Sequence, residues 1–200
     1  MPRLTEIAHS AVRAVLTNGE VAIDATAGNG WDTQFLLECV GRQGHVFAFD
    51  IQPQALAATA ARIGDVPNVT LLARNHAELR NAIPTKYHGR IGAVMFNLGY
   101  WPGSDHAITT TPPSTLAAIT AAWELLRDGG ILTILAYTGH PGGAEEAAAV
   151  EQQLRRLGNN VAMEAIEGQA STKSAPRLWI VRKCPLSATE EQSGTLNYGA

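Results

Sequence analysis

Two near-adjacent glycines, Gly28 and Gly30, follow the hydrophobic run Val21-Ala-Ile-Asp24-Ala and precede a stretch with helical periodicity. A strand that delivers glycines into a turn opening a helix is a place where backbone can approach a ligand closely, because no Cβ stands in the way. As a dinucleotide fingerprint the spacing is incomplete: Thr33 stands where the third glycine of Gly-x-Gly-x-x-Gly would pack helix on strand. About twenty residues further on, Asp50 ends a second apolar strand, where a carboxylate can accept hydrogen bonds from both ribose hydroxyls of an adenosine ligand. Asp24, near the exit of the first strand, can bond loop backbone N–H groups or face the cationic end of a ligand.

A second group sits at the end of a later strand, in Asn97-Leu98-Gly99-Tyr100. An amide, a turn and an aromatic ring at the carboxyl edge of a sheet suit transfer of a methyl group to nitrogen. That reaction is an in-line displacement, so the acceptor nitrogen must bring a lone pair to about 3 Å from carbon at the right angle. The Asn97 carbonyl oxygen and the Leu98 backbone carbonyl can accept the amine N–H groups and stabilise charge growing on nitrogen, while Tyr100 can stack on a flat base. The same four residues also read as a strand-capping Asn beside a core Tyr. Histidines stand after the third expected strand (His76), in the long loop (His106) and after the fifth strand (His140, in Tyr137-Thr-Gly-His140-Pro-Gly-Gly). His76 and His140 fall at the ligand-binding edge, and His140, held before a Pro-Gly-Gly turn, is the candidate for proton transfer or substrate contact. No histidine pair has metal-ligand spacing on one helix face, so no metal site is expected. Neither a Gly-x-Ser-x-Gly elbow nor a Walker loop occurs, which argues against hydrolase and phosphoryl-transfer chemistry.

Positioning these groups requires strand ends gathered at one edge, and the periodicity supplies them: short β-branched runs alternate with longer amphipathic stretches, as in a parallel sheet with crossover helices. Strands are expected over 21–25, 45–50, 69–73, 91–97, 131–137, 161–166 and 178–182, and helices over 4–16, 32–40, 53–63, 76–82, 114–126 and 144–157. Asp128-Gly129-Gly130 reads as a turn before the fifth strand, and Leu98–Pro113 as a loop long enough to carry function. The expected fold is α/β, a seven-stranded mostly parallel sheet with helices on both faces, in one domain over residues 1–184 followed by a polar tail, 185–200.

The longest apolar runs fall far short of the roughly 20 residues that cross a bilayer, and the first residues lack a signal-peptide core, so a cytoplasmic location without membrane contact is expected. Cys39 and Cys184 have neither metal nor disulfide context and read as free thiols. Net charge is −3, so nucleic-acid contact would have to be local. Candidate patches are Lys86, His88 and Arg90, then Arg155 and Arg156, then Lys173, Arg177, Arg182 and Lys183. Apolar residues of the opening helix and the Trp101 loop leave room for a homodimer.

Taken together, Asp24-Ala-Thr-Ala-Gly28-Asn-Gly30-Trp-Asp32-Thr33, Phe49-Asp50-Ile-Gln52, Phe96-Asn97-Leu-Gly-Tyr100-Trp-Pro-Gly103-Ser-Asp105 and Gly139-His140-Pro-Gly-Gly143 resemble, in order and spacing, the bacterial rRNA methylase family. The resemblance runs from about residue 5 to about residue 182. It implies a Rossmann-like class I methyltransferase fold and S-adenosylmethionine (SAM) as methyl donor. Within the family the chain is most similar to the tRNA 5-aminomethyl-2-thiouridine methyltransferases, which implies tRNA, through its anticodon loop, as partner; an rRNA base is the rival substrate, with a small amine or a non-catalytic nucleotide-binding role as further alternatives. Carried over by position, the resemblance implies that Asp24, Gly28, Asn29, Gly30 and Asp32 line the donor site, with Thr33 and His76 beside them. It implies that Asp50 and Gln52 hold ribose and adenine, that Asn97 and Tyr100 face the amine, and that His140 sits across the pocket. An alkyl ammonium must lose a proton before it can attack, and His140 or Asp105 is the expected acceptor. Two departures from the general class I pattern are Thr26 at the first glycine place and Leu98-Gly99 where amino-methyltransferases of DNA or protein carry Pro-Pro.

Overall fold

The structure, a computed structural model, describes residues 2–101, 109–168 and 175–185. Asp105, His106, Lys173 and the tail beyond residue 185 therefore lie outside the described residues. The elements run α1 (Leu4–Arg13), β1 (Val21–Asp24), α2 (Trp31–Val40), β2 (His45–Asp50), α3 (Pro53–Ile63), β3 (Val69–Ala73), a 3-10 turn (His76–Glu78) leading into α4 (Leu79–Ala82), β4 (Ile91–Leu98), α5 (Pro112–Leu125), β5 (Leu126–Ala136), α6 (Gly143–Leu154), β6 (Val161–Glu167) and β7 (Arg177–Lys183).

One sheet of seven strands results, in the order β3-β2-β1-β4-β5-β7-β6. β1 pairs in parallel with both β2 and β4, and β4 with β5, whereas β7 runs antiparallel to both β5 and β6. The chain winds outward from β1 through β2 to β3, then returns to β4 on the other side of β1. This reversal opens a crevice outside the carboxyl ends of β1 and β4, where open α/β sheets hold ligands.

Alternation along the strands divides the core between the two faces. Ile23, Phe47, Phe49, Val94, Phe96 and Leu132 point to the side covered by α4, α5 and α6. Ala22, Val46, Ala93, Met95 and Ile131 point to the side covered by α1 and α2, while α3 reaches Ala48 through Leu56. Burial on both faces is why these strands read as continuous apolar runs.

Sequence expectations change at several element ends. α1 ends at Arg13 and α5 starts at Pro112, where two prolines occupy first-turn positions that need no N–H. β5 starts at Leu126, five residues early, because Leu126 already pairs with Ile91; pairing resumes at Ala93 with Ile131, and Asp128-Gly129-Gly130 bulges between them. Ala8 and Val12 of α1, and Leu16 just after it, are buried against the sheet. No helix among the described residues is long and apolar enough to cross a membrane.

Candidate functional site

A cavity of about 520 Å³ occupies the crevice at the carboxyl edge. The β1–α2 loop forms one wall, with Gly28 and Asn29; the ends of β2 and β3 contribute Asp50, Gln52 and His76; and the end of β4 contributes Asn97 to Trp101. Thr5 of α1, Thr109–Thr111, Ser114 and Tyr137 complete the rim.

The β1–α2 loop is braced from below. Asp24 is fully buried; its carboxylate accepts the Thr26 N–H at 3.1 Å and the Thr33 hydroxyl at 2.6 Å. Burial, then the charge of nearby Asp32, pushes the Asp24 carboxyl up to about 7. Neither Asp24 nor Thr33 lines the cavity, so both meet the loop rather than the space above it. The two glycines differ as well. Gly28 has φ +52° and lines the cavity, with room for a Cβ 3.5 Å from Trp101. Gly30, at φ +79°, precedes α2 where a Cβ would come within 2.8 Å of the Thr59 Cα; it is the packing glycine of α2 on α3.

Asp50 ties two loops together. One oxygen accepts the Gly28 N–H at 3.0 Å, the other the Gln52 N–H at 2.9 Å, and the Ile51 N–H also bears on the carboxylate. Burial raises its pKa above the usual carboxylate range, against the pull of those N–H groups. His76 is buried beneath the same corner, its ring edge-on to Phe96 and its Nε2 without a partner. Burial, opposed by a weaker pull from the Ala25 backbone, holds it down at about 4, so it is neutral at pH 7.

At the β4 end, the Asn97 backbone N–H donates to the Thr26 hydroxyl at 2.7 Å, and its Nδ2 donates to Asp32 Oδ2 at 2.6 Å. A carboxylate only accepts, so the amide can take one orientation. Among the described residues the carbonyl oxygen is thereby left without a partner, on a residue that lines the cavity. Asp32 in turn accepts from His9 Nε2 at 2.7 Å, and His9 lies stacked on Phe35 with ring centroids 3.8 Å apart. Sequence reasoning missed His9, and it treated Thr26 only as a departure from a glycine pattern; the one available signal was that Thr5 and His9 share an α1 face four residues apart.

Tyr100 and Trp101 form the outer wall. Trp101 donates to Asn29 Oδ1 at 2.8 Å and closes over Gly28. Gly99 donates to the Thr110 hydroxyl, which donates to buried Glu146 at 2.6 Å, so α6 anchors both sides of the 99–110 loop. The structure does not bring His140 into the cavity. Its ring packs edge-on to Tyr100, 5.9 Å between centroids, and its Nδ1 meets Pro141 O. Of the basic patches, Lys86–Arg90 precede β4 and Arg182–Lys183 end β7, both at the sheet edge opposite the cavity. Lys183 donates to the carbonyls of Trp123 and Leu126, and Arg177 pairs with Glu151 and Glu167.

The family model described as "Putative rRNA methylase" matches residues 46–183. A tRNA (mnm(5)s(2)U34)-methyltransferase of the chloroplast of Arabidopsis thaliana is 37% identical over 160 residues, which are 74% of this chain and 58% of the relative; the chain thus spans under two thirds of that protein's length. Among solved structures, a putative rRNA-methylase from Clostridium thermocellum superposes with a TM-score of 0.85 at 34% identity, covering 92% of this chain and 98% of the other. A putative methyltransferase from Streptococcus mutans, solved in complex with SAH, superposes with a TM-score of 0.78 at 32% identity, covering 92% and 99%.

Proposed function

The chain belongs to the rRNA methylase family, and from that premise we propose that it is a SAM-dependent N-methyltransferase acting on RNA, with the aminomethyl group of 5-aminomethyl-2-thiouridine at the tRNA wobble position as its acceptor. The residues present fit the donor. A carboxylate that lines the cavity ends β2, a left-handed glycine lines the same cavity 22 residues before it in the chain, and a neutral histidine with an orphaned Nε2 borders the same space. When bound, SAM supplies an electrophilic methyl group on a sulfonium.

In this reading Asp50 and Gln52 hold the ribose and adenine, Gly28 and Asn29 give the donor a close backbone wall, and His76 offers Nε2 beside the adenosine. Asp24, Thr33 and Gly30 act at one remove, by holding the loop in shape. Tyr100 and Trp101 provide flat surfaces for a nucleobase, worth about 1–3 kcal/mol per stacked base. The observation that carries the proposal is the single allowed orientation of Asn97: with Nδ2 pinned to Asp32, its Oδ1 is an acceptor aimed at a donor-rich substrate group, and an amine with two or three N–H bonds is such a group. The likeness to the Arabidopsis tRNA methyltransferase supports the wobble nucleoside in particular.

The test has two stages. Calorimetry with SAM and SAH should show binding to a single site, with nicotinamide dinucleotides giving none. Incubation with SAM and tRNA bearing unmethylated 5-aminomethyl-2-thiouridine, followed by nucleoside mass spectrometry, should show one methyl group added to that nucleoside. Donor binding with methylation of ribosomal RNA or of a free amine instead would keep the methyl transfer and remove the wobble substrate.

A further inference from the structure

We propose that Asp32, held by His9, takes the proton from the incoming alkyl ammonium; this rests on the methyl-transfer reading of the site. Asp32 is buried to 8% exposure yet lines the cavity beside Asn97. It stands in the first turn of α2, where the helix dipole favours a negative charge. Each of its oxygens accepts one hydrogen bond, from His9 and from Asn97, which leaves a lone pair on each for a substrate proton. An ammonium hydrogen-bonded to the Asn97 carbonyl oxygen therefore has a carboxylate within the same cluster.

An N–H bond of the ammonium breaks, its electron pair stays on nitrogen, and the proton goes to an Asp32 oxygen, leaving a neutral amine and a neutral acid. Two opposite charges disappear in a partly desolvated pocket, which favours the transfer. Overall the reaction releases one proton, and it leaves through His9, whose side chain is 28% exposed. The titratable groups facing Asp32 are His9 from α1, Asp24 from β1 and Tyr137 after β5. Asp24 bonds the loop and Tyr137 is raised by burial and then by the Asp32 charge, so neither competes for the role. The His140 ring lies outside the cavity lining.

A purely structural tie between α1 and α2 predicts the same contacts, and pH separates the two. Asp32→Asn removes the acceptor, while His9→Gln keeps a hydrogen-bond donor to Asp32 but no proton carrier. Two measurements are needed on each folded protein. One is the single-turnover methylation rate from pH 6 to 10. The other, free of catalysis, is the affinity of the SAH-loaded protein for an anticodon stem-loop bearing the unmethylated aminomethyl group over the same range.

For wild type, affinity should vary little with pH. In Asp32→Asn only the neutral amine is accommodated, so affinity should rise about tenfold per pH unit toward the amine pKa, about 10 by analogy with lysine. The rate defect should be about a hundredfold at pH 7 and close as pH rises, with His9→Gln intermediate. A defect constant across pH, or an affinity in Asp32→Asn as flat as in wild type, overturns the proton role while leaving methyl transfer standing. Failure of wild type to bind SAH or to methylate an amine overturns the methyl-transfer reading, and this proposal with it.

Discussion

Replacing Asn97 by alanine removes the one acceptor whose orientation the structure dictates, since its amide nitrogen is spoken for by Asp32. By analogy with loss of a single preorganised transition-state hydrogen bond, the methylation rate of Asn97→Ala should fall about a hundredfold or more. SAH affinity measured by calorimetry should stay near wild type; a loss confined to donor binding would put Asn97 in the donor site alone. Asp24 makes a separate claim on stability. Its folded pKa of about 7 lies above the ordinary aspartate value of about 4, so its contribution is fully present below the unfolded pKa and is lost as pH rises from about 4 through 7. Asp24→Asn can keep both bonds, because the Thr33 hydroxyl can accept as well as donate. The difference in Tm between Asp24→Asn and wild type should therefore shift in favour of the variant between pH 5 and pH 8. An unchanged difference would mean that Asp24 is ionised at both.

Between elements, the two loop glycines are expected to fail in different ways. Gly30→Ala drives a methyl into the Thr59 backbone at 2.8 Å, at a φ of +79°. That should cost about 1–3 kcal/mol by forcing α2 off α3, read as a fall in Tm of about 2–4 °C per kcal/mol. Gly28→Ala meets no such backbone and should cost about 1 kcal/mol in conformation, yet weaken SAH binding about tenfold or more by filling the approach to the ligand. Equal effects on both readouts for both variants would remove the division of labour. This division was not legible in the sequence, where Gly28 and Gly30 look alike, because it depends on α3 arriving 29 residues later with Thr59. The elements themselves were legible, since two-face burial writes itself as apolar runs and one-face burial as helical periodicity. What periodicity omits is lateral pairing. Leu126 joins β5 only through Ile91, and His9 becomes part of the site only because α1 lies beside α2, with Phe35 under its ring and Asp32 at its tip.

Charge distribution over the whole molecule sets how it can hold a nucleic acid. The net charge is −3, and the basic runs visible in the sequence are placed by the parallel topology mostly at the sheet edge opposite the cavity, which one-dimensional spacing does not reveal. At the cavity edge, among the described residues, Arg74 lines the space and Arg62 lies over the exposed Trp31 ring, 3.1 Å from its centroid. Among the described residues, four of the five exposed large hydrophobics, Trp31, Ile51, Tyr100 and Tyr137, border the same cavity. RNA binding should then rest on stacking more than on phosphate contacts. Two phosphate contacts to single-stranded RNA give a slope of log affinity against log salt of about −1.4, so doubling the salt should weaken an anticodon stem-loop about 2.6-fold. On the same slope, a binder led by six cations would lose about 300-fold between 50 and 200 mM salt. Arg74→Ala should halve the slope, while Trp31→Ala should weaken binding at every salt concentration and leave the slope as it was. A steep slope in wild type would mean that cations away from this rim carry the RNA, and that the aromatic border serves the donor instead.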